Sequence, residues 1–278
     1  RISGSIDFYL RRSKDLLART PQATGTNFTT YINANVGTME NKGVELNLNL
    51  QPYRTNDFTW DIGTNIAYND NKITRLTVND DPGYKGLPVS TAAAVNGFVQ
   101  LHQVGYPRNA FNLYQQVYGG DGLPIEGLFE DRNRDGIIND NDRYLVKSPV
   151  PDWTFALSTN MSYKKWSLGT VVRSSLNNYM YNNIYSNRGR LNQVTGNYIL
   201  GNASTNYLTT NFVGNVDVQP LSDYYLENAS FLRMDNLFLG YNFGRIIKNT
   251  PANLRVVGSI QNVFVITKYN GLDPEQSG

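Results

Sequence analysis

"NKGVELNLNLQPYRTNDFTWDIGTNIAYN", Asn41 to Asn69, decides the fold, because apolar residues recur at every second position on both sides of a short polar break. Val44, Leu46, Leu48 and Leu50 share one face, while Glu45, Asn47, Asn49 and Gln51 share the other. Past "PYRTND", which has turn composition, Phe58, Trp60, Ile62, Ile66 and Tyr68 oppose Thr59, Asp61, Gly63, Asn65 and Asn69. Side chains alternate across a strand with period two, so this is a pair of half-apolar strands joined by a tight turn.

Two more pairs follow the same design. Trp153, Phe155, Leu157, Met161 and Tyr163 oppose Thr154, Ser158, Asn160 and Ser162. After the "YKK" turn, Trp166, Leu168, Thr170 and Val172 continue the apolar row, with Ser167, Gly169 and Arg173 facing away. The third pair is Phe231 to Phe243 with Leu254 to Ile266, joined by "GRIIKNTPAN". There Arg233 and Asp235 share parity with Leu237 and Leu239, which predicts a bulge.

Strands of about ten residues, with aromatics near their ends and a polar opposite face, suit the wall of a transmembrane barrel. A soluble sandwich alternates too, with its apolar face inward. Connection length separates the two. The three turns are short, yet Arg12 to Asn41, Val78 to Pro151 and Asn177 to Ala229 read as long connections. Soluble domains rarely carry several structureless loops beyond about 15 residues, whereas outer-membrane barrels combine short periplasmic turns with long extracellular loops. The sequence therefore predicts an all-β, antiparallel transmembrane barrel, with everything between Asn69 and Trp153 beginning and ending outside the cell. "AFNLYQQVYGG", Ala110 to Gly120, reads as a strand, and the pattern leaves open whether residues 78–150 cross the membrane or form a hairpin above it.

Composition agrees: 24 Gly, 19 Tyr and 12 Phe in 278 residues favour sheet. With 25 basic against 23 acidic residues, no global field points to nucleic acid. The chain has no cysteine, hence no disulfide framework or thiolate metal site. "RISGSIDFYLRRSKD" at the start is not a signal peptide, which suggests a processed chain or a fragment. No apolar run reaches the roughly 20 residues that a membrane helix needs.

The stretch "FEDRNRDGIINDNDRYLV", residues 129–146, holds the one candidate metal site. Counted from Asp131 as position 1, the calcium-loop ligand positions fall on Asp131, Asn133, Asp135, the Ile137 carbonyl, Asn139 and Asp142, with Gly136 at the turn position and Ile138 at position 8. Such a set of hard oxygen ligands suits a structural Ca²⁺, and Asp142, shorter than the usual Glu, points to a weak site or to Mg²⁺. The competing reading is a solvated loop rich in Asx turns with no ion. His102 is the only histidine, which favours a surface or packing role. The tyrosines Tyr179, Tyr181, Tyr185, Tyr198, Tyr207, Tyr224 and Tyr225 could stack on a ligand or simply pack. No nucleophile elbow, phosphate loop or dinucleotide motif occurs, so no catalytic residue is assigned and the chain is read as no enzyme.

Four stretches together resemble the C-terminal part of a SusC/RagA-type TonB-dependent outer-membrane transporter of Bacteroidetes-like Gram-negative bacteria. They are "NKGVELNLNL" from Asn41, "DRNRDGIINDNDRYLVKSPVPDWTFALSTNMSYKKWSL" from Asp131, "LENASFLRMDNLFLGYNF" from Leu226 and "QNVFVITKYNGLDPE" from Gln261. The resemblance implies that residues 1–278 are part of a 22-stranded plugged barrel, of which about eight crossings are present. The family's plug, TonB box and last strand are absent from this sequence. It further implies TonB-dependent import of an oligomeric nutrient, glycan or peptide, with a SusD-like surface lipoprotein and TonB as partners and outer-membrane lipid around the wall. No residue is assigned to the substrate. The alternative is a calcium-stiffened surface adhesin or structural β protein without transport.

Overall fold

A computed structural model of the chain describes residues 1–21, 25, 28, 31–77, 83–89, 93–94, 97–195, 201–246 and 251–275. Tyr198 and residues 247–250 of the predicted "GRIIKNTPAN" turn lie outside the described residues. The chain runs through β1 (Ile2–Pro21), β2 (Tyr31–Arg54) and β3 (Phe58–Arg75), then eight short strands. These are β4 (Leu87–Pro88), β5 (Ala93–Ala94), β6 (Gly97–Phe98), β7 (Gln100–His102), β8 (Ala110–Leu113), β9 (Gln116–Tyr118), β10 (Pro124–Phe129) and β11 (Tyr144–Val146). Next come β12 (Trp153–Tyr163), β13 (Trp166–Leu176), β14 (Tyr179–Tyr181) and three short helices, α1 (Asn183–Arg188), α2 (Asn192–Thr195) and α3 (Tyr207–Thr210). Two 3₁₀ turns, Gln219–Leu221 and Asp223–Tyr225, lead into β15 (Leu226–Asn228), β16 (Phe231–Arg245) and β17 (Asn253–Thr267).

Seven long strands form one antiparallel sheet in the order β1-β2-β3-β12-β13-β16-β17, so each long strand pairs with the next one in the chain. The register realises the parity of the sequence. Leu46, Ile66 and Phe155 are directly opposite one another on one face, and Asn47, Asn65, Ala156 and Arg173 on the other. Among the described residues no second layer covers the apolar rows: Leu157 and Leu168 remain 43% and 41% exposed, which a sandwich would not tolerate. The sheet is a single open wall with a greasy and a polar side, as in a barrel whose lipid-facing and lumen-facing residues alternate.

Aromatic residues border the greasy side at two levels. At one end the Tyr68 and Trp153 rings are 4.9 Å apart and Trp153 stacks with Phe155 at 6.1 Å. At the other, Trp166 meets Tyr241 at 4.6 Å and Tyr241 meets Phe243 at 4.7 Å. From Trp153 to Tyr163 the strand advances roughly 33 Å, about 25 Å along the normal at ordinary barrel tilt, the height of an outer-membrane apolar band.

Two glycines on the polar side are required by ring packing. A Cβ on Gly43 would lie 2.5 Å from the Tyr9 hydroxyl and 2.1 Å from the Tyr68 carbonyl oxygen; one on Gly169 would lie 2.3 Å from the Phe238 ring. The aromatic side chain directly opposite each glycine thus lies flat across the strand, and Tyr9 Oη donates to Asn69 Oδ1 at 2.9 Å.

Two expectations change, and one question left open by the sequence is answered where the residues are described. The supposed connection from Arg12 to Asn41 is mostly strand, because β1 and β2 stay paired through Pro21 and Tyr31. Parity was lost there because Asp15 adopts a left-handed φ of 57° and the register shifts at Leu16 and Leu17, so faces swap midway. Seven long strands are present among the described residues rather than about eight. Residues 83–148, where described, do not add a crossing: their strands are at most six residues long and form small sheets of their own. The bulge predicted near Asp235 is present, as a register shift between Met234 and Asn236. No helix among the described residues is long and apolar enough to cross a membrane.

Candidate functional site

The short strands and the helical segment after β14 build one packed body at the end of the sheet opposite the tight turns. Its buried core is Val99, Phe111, Leu113, Tyr114, Phe129 and Leu221, with Val146, Tyr179, Tyr181 and Leu226 against it. Residues far apart in sequence thus share one core, which makes this cap a fold in its own right rather than a set of loose loops.

Gln116 is the polar hub of the cap. Its Nε2 donates to the carbonyls of Ile125 at 2.7 Å and Leu128 at 3.0 Å, and its Oε1 accepts from Gln219 Nε2 and Ser222 Oγ, each at 2.8 Å. Gln219 Oε1 in turn accepts from the Gly127 N–H at 2.7 Å. Beside it, Glu126 accepts from the N–H groups of Val213 at 2.8 Å and Gly214 at 2.7 Å. Asp223 accepts from the Gln116 N–H at 2.9 Å and from Tyr144 Oη at 2.8 Å. Burial first, then that bond to Asp223, pushes the Tyr144 hydroxyl well above its ordinary pKa. Burial and Asp140 raise Tyr114 to about 12. Gln116, Gln219, Glu126 and Asp223 each satisfy backbone groups that a loop would otherwise leave unpaired in a dry interior.

Three of the seven tyrosines singled out in the sequence, Tyr181, Tyr224 and Tyr225, are built into the packing of the cap. Tyr225 is fully buried, Tyr181 Oη donates to the Pro220 carbonyl, and Tyr224 packs edge-on against Tyr225 and Phe212. His102 has a packing role: Nδ1 accepts from the Asn109 N–H at 3.3 Å, and burial, then Arg108, lowers its pKa. The imidazole is therefore neutral at pH 7.

The 131–142 loop folds onto its own side chains. Asp131 accepts from the N–H groups of Asp135 at 3.3 Å and Gly136 at 2.8 Å; Asn133 Oδ1 accepts from Asp135 at 3.0 Å; Asp135 accepts from Ile137 at 2.8 Å. Gly136, with φ of 81°, makes the turn that its position demanded. Asn139 Oδ1 accepts from the Asn141 N–H at 2.9 Å, and Asn139 Nδ2 donates to the Ile137 carbonyl at 3.1 Å. Asp142 is fully buried, accepting from the N–H groups of Asn139, Arg132 and Asn133. The Asn139 N–H is the main reason its carboxyl lies below the usual range, against the opposing effect of burial. Among the described residues no three of His, Cys, Asp or Glu gather as a metal-binding group, so a cation here would depend on the Asn133, Asn139 and Ile137 oxygens as well.

Below the cap, the polar side of β1–β3 carries a hollow of about 490 Å³ bordered by Asp7, Arg11, Asn41, Glu45, Asn71 and Arg108. Asn71 Nδ2 donates to Asn41 at 2.7 Å, and Asn71 Oδ1 accepts from the Arg108 N–H at 2.9 Å, which ties cap to wall. Charges of both signs in one open hollow suit a polar, hydrogen-bonding occupant. Of these residues period-two reasoning flagged only Glu45, as a member of a polar row, since nothing in one strand reveals what lies opposite.

No protein-family model matches the chain. It is 41% identical over 99% of its length to the TonB-dependent receptor SusC of Bacteroides thetaiotaomicron, and 27% identical over 99% to TonB-dependent receptor P3 of Formosa agariphila. It covers 28% and 29% of those proteins. Among solved structures, one of the RagAB peptide transporter superposes over the whole chain with a TM-score of 0.73 at 26% identity, covering 31% of that chain. A structure of the RagAB peptide importer in the open-open state gives 0.74 at 24% identity, a likeness of fold alone. The chain thus spans just under a third of the length of the relatives it matches. These relatives are receptors and transporters, not enzymes.

Proposed function

We propose that this chain, which is of the SusC/RagA TonB-dependent receptor type, supplies wall and extracellular cap to an outer-membrane importer of an oligomeric nutrient. The reading is carried by one observation: a single sheet, apolar on one side and polar on the other, topped at one end by a packed body. Such a wall separates hydrocarbon from an aqueous lumen, and the cap gives that lumen a rigid mouth. In the proposed cycle a SusD-like lipoprotein closes over the cap, ligand is held between the two, and TonB, energised from the inner membrane, drives passage. The open, mixed-charge hollow at the mouth favours a polar oligomer, glycan or peptide, over an apolar ligand. In the intact protein, detergent is expected to be needed for extraction, and unheated samples should migrate as a compact barrel on gels. A protein that stays soluble without detergent and migrates identically before and after heating would instead be the adhesin.

We also propose a structural Ca²⁺, or Mg²⁺, held in the cap by Asp131, Asn133, Asp135, Ile137, Asn139 and Asp142. It would screen the three carboxylates and fix the loop beside β11. Extracellular sites of this kind bind at about 10⁻⁴ to 10⁻³ M. Millimolar calcium is therefore expected to slow proteolysis within residues 129–146, and Asp131→Ala with Asp135→Ala to abolish that effect. Cleavage that proceeds alike with calcium and with chelator would remove the metal from the picture.

A further inference from the structure

Arg173 on β13 and Arg233 on β16 are direct cross-strand partners on the polar side of the wall. Like charges placed so repel unless neutralised. Part of the compensation comes from the bulge, where Asp235 Oδ2 accepts from Arg173 Nε at 2.6 Å. The rest comes from the segment that follows β17. Both oxygens of Asp273 accept from Arg233 Nη2, at 2.7 and 2.8 Å. Glu275 receives two hydrogen bonds from Arg173, the one to Oε2 at 2.8 Å, and approaches Arg233 Nε at 3.1 Å without hydrogen-bond alignment. The buried Phe231 ring lies under both guanidinium groups, 5.9 and 5.7 Å away.

We propose that Arg173 and Arg233 form a carboxylate receptor in the lumen wall, which Asp273 and Glu275 fill as a displaceable strap and which an acidic peptide with carboxylates two residues apart can enter in their place. The spacing is fixed by the two guanidinium groups side by side, each reaching one acid of an Asp-Pro-Glu segment. Buried Pro274 turns the segment so that both acids face the wall. Besides these polar contacts the strap is anchored by buried Pro274 and by Glu227, which accepts from the backbone and side chain of Asn270 at 2.7 and 2.9 Å, while Leu272 is 81% exposed. The Arg173–Glu275 pair is partly exposed, its side chains at 40% and 28%, and such a pair is worth little against water and competitors, which makes exchange for a ligand feasible from that side. Replacing the strap's carboxylates by a ligand's keeps the arginine pair neutralised throughout. The site is independent of whether the protein imports anything, so its test reads the strap and not uptake.

The experiment uses the intact protein in detergent, with hydrogen exchange over residues 268–275 as readout and compact-barrel migration as the folding control. Asp273→Asn with Glu275→Gln, which leaves the wall untouched, is expected to speed exchange about tenfold. The free peptide Asp-Pro-Glu, blocked at both ends, should do the same to the wild type at millimolar concentration, its Asn-Pro-Gln counterpart should not, and Arg233→Gln should exchange fast with no response to either. Exchange unaltered by the acidic peptide, or altered equally by its amide counterpart, overturns the proposal.

Discussion

Leu157→Arg is expected to cost roughly 2–4 kcal/mol of barrel stability, the penalty for arginine on the lipid side near the bilayer midplane. Leu157 lies one residue from the centre of β12, paired with Thr64 and Val172 on the greasy side and well inside both aromatic borders. The neighbouring change Ser158→Arg should cost less than about 1 kcal/mol, because Ser158 opposes Gly63 and Val171 on the polar side, where a guanidinium stays hydrated. The temperature at which the compact gel form is lost, measured for both variants, gives the comparison. Equal losses would mean that the two sides do not see different solvents.

Gln116→Ala is expected to loosen the cap and spare the wall. The truncation strands the Ile125 and Leu128 carbonyls together with the Gln219 and Ser222 side chains in a dry interior. Unsatisfied buried groups cost about 1–3 kcal/mol each, and partial relaxation leaves a net on the order of 3 kcal/mol. Hydrogen exchange across residues 111–129 and 212–226 should then rise by roughly a hundredfold, with compact-barrel migration unchanged. A rise confined to residue 116 and its immediate neighbours would show that the two loops are not joined through this amide.

How much of this was legible follows from where water is. Between the aromatic borders one side of each strand meets hydrocarbon, so the alternation at Leu46, Trp60, Leu157 and Leu168 is enforced and can be read directly. Above the border both sides are wet, and the extension of β1 and β2 to Pro21 and Tyr31 leaves no apolar period, while the left-handed Asp15 swaps faces midway. The bulge was visible because Asp235 put charge at the same parity as Leu237, where the apolar row should continue. The acidic loop announced itself through ligand spacing around Gly136, and its turn geometry is as expected. Its carboxylates, however, are shared among backbone N–H groups, a detail that spacing cannot specify. The cap core and the Arg173–Arg233 strap were illegible, since they join residues about 40 to more than 100 positions apart with no local period.

Single cysteines placed in turn from Trp153 to Tyr163, in the intact protein freed of any other cysteine, test the wall most directly. Spin labels there should alternate, odd positions open to a lipid-soluble relaxation agent and even positions to a water-soluble one. Labels at 155, 157 and 161 shielded from both agents, as inside a sandwich, would contradict it.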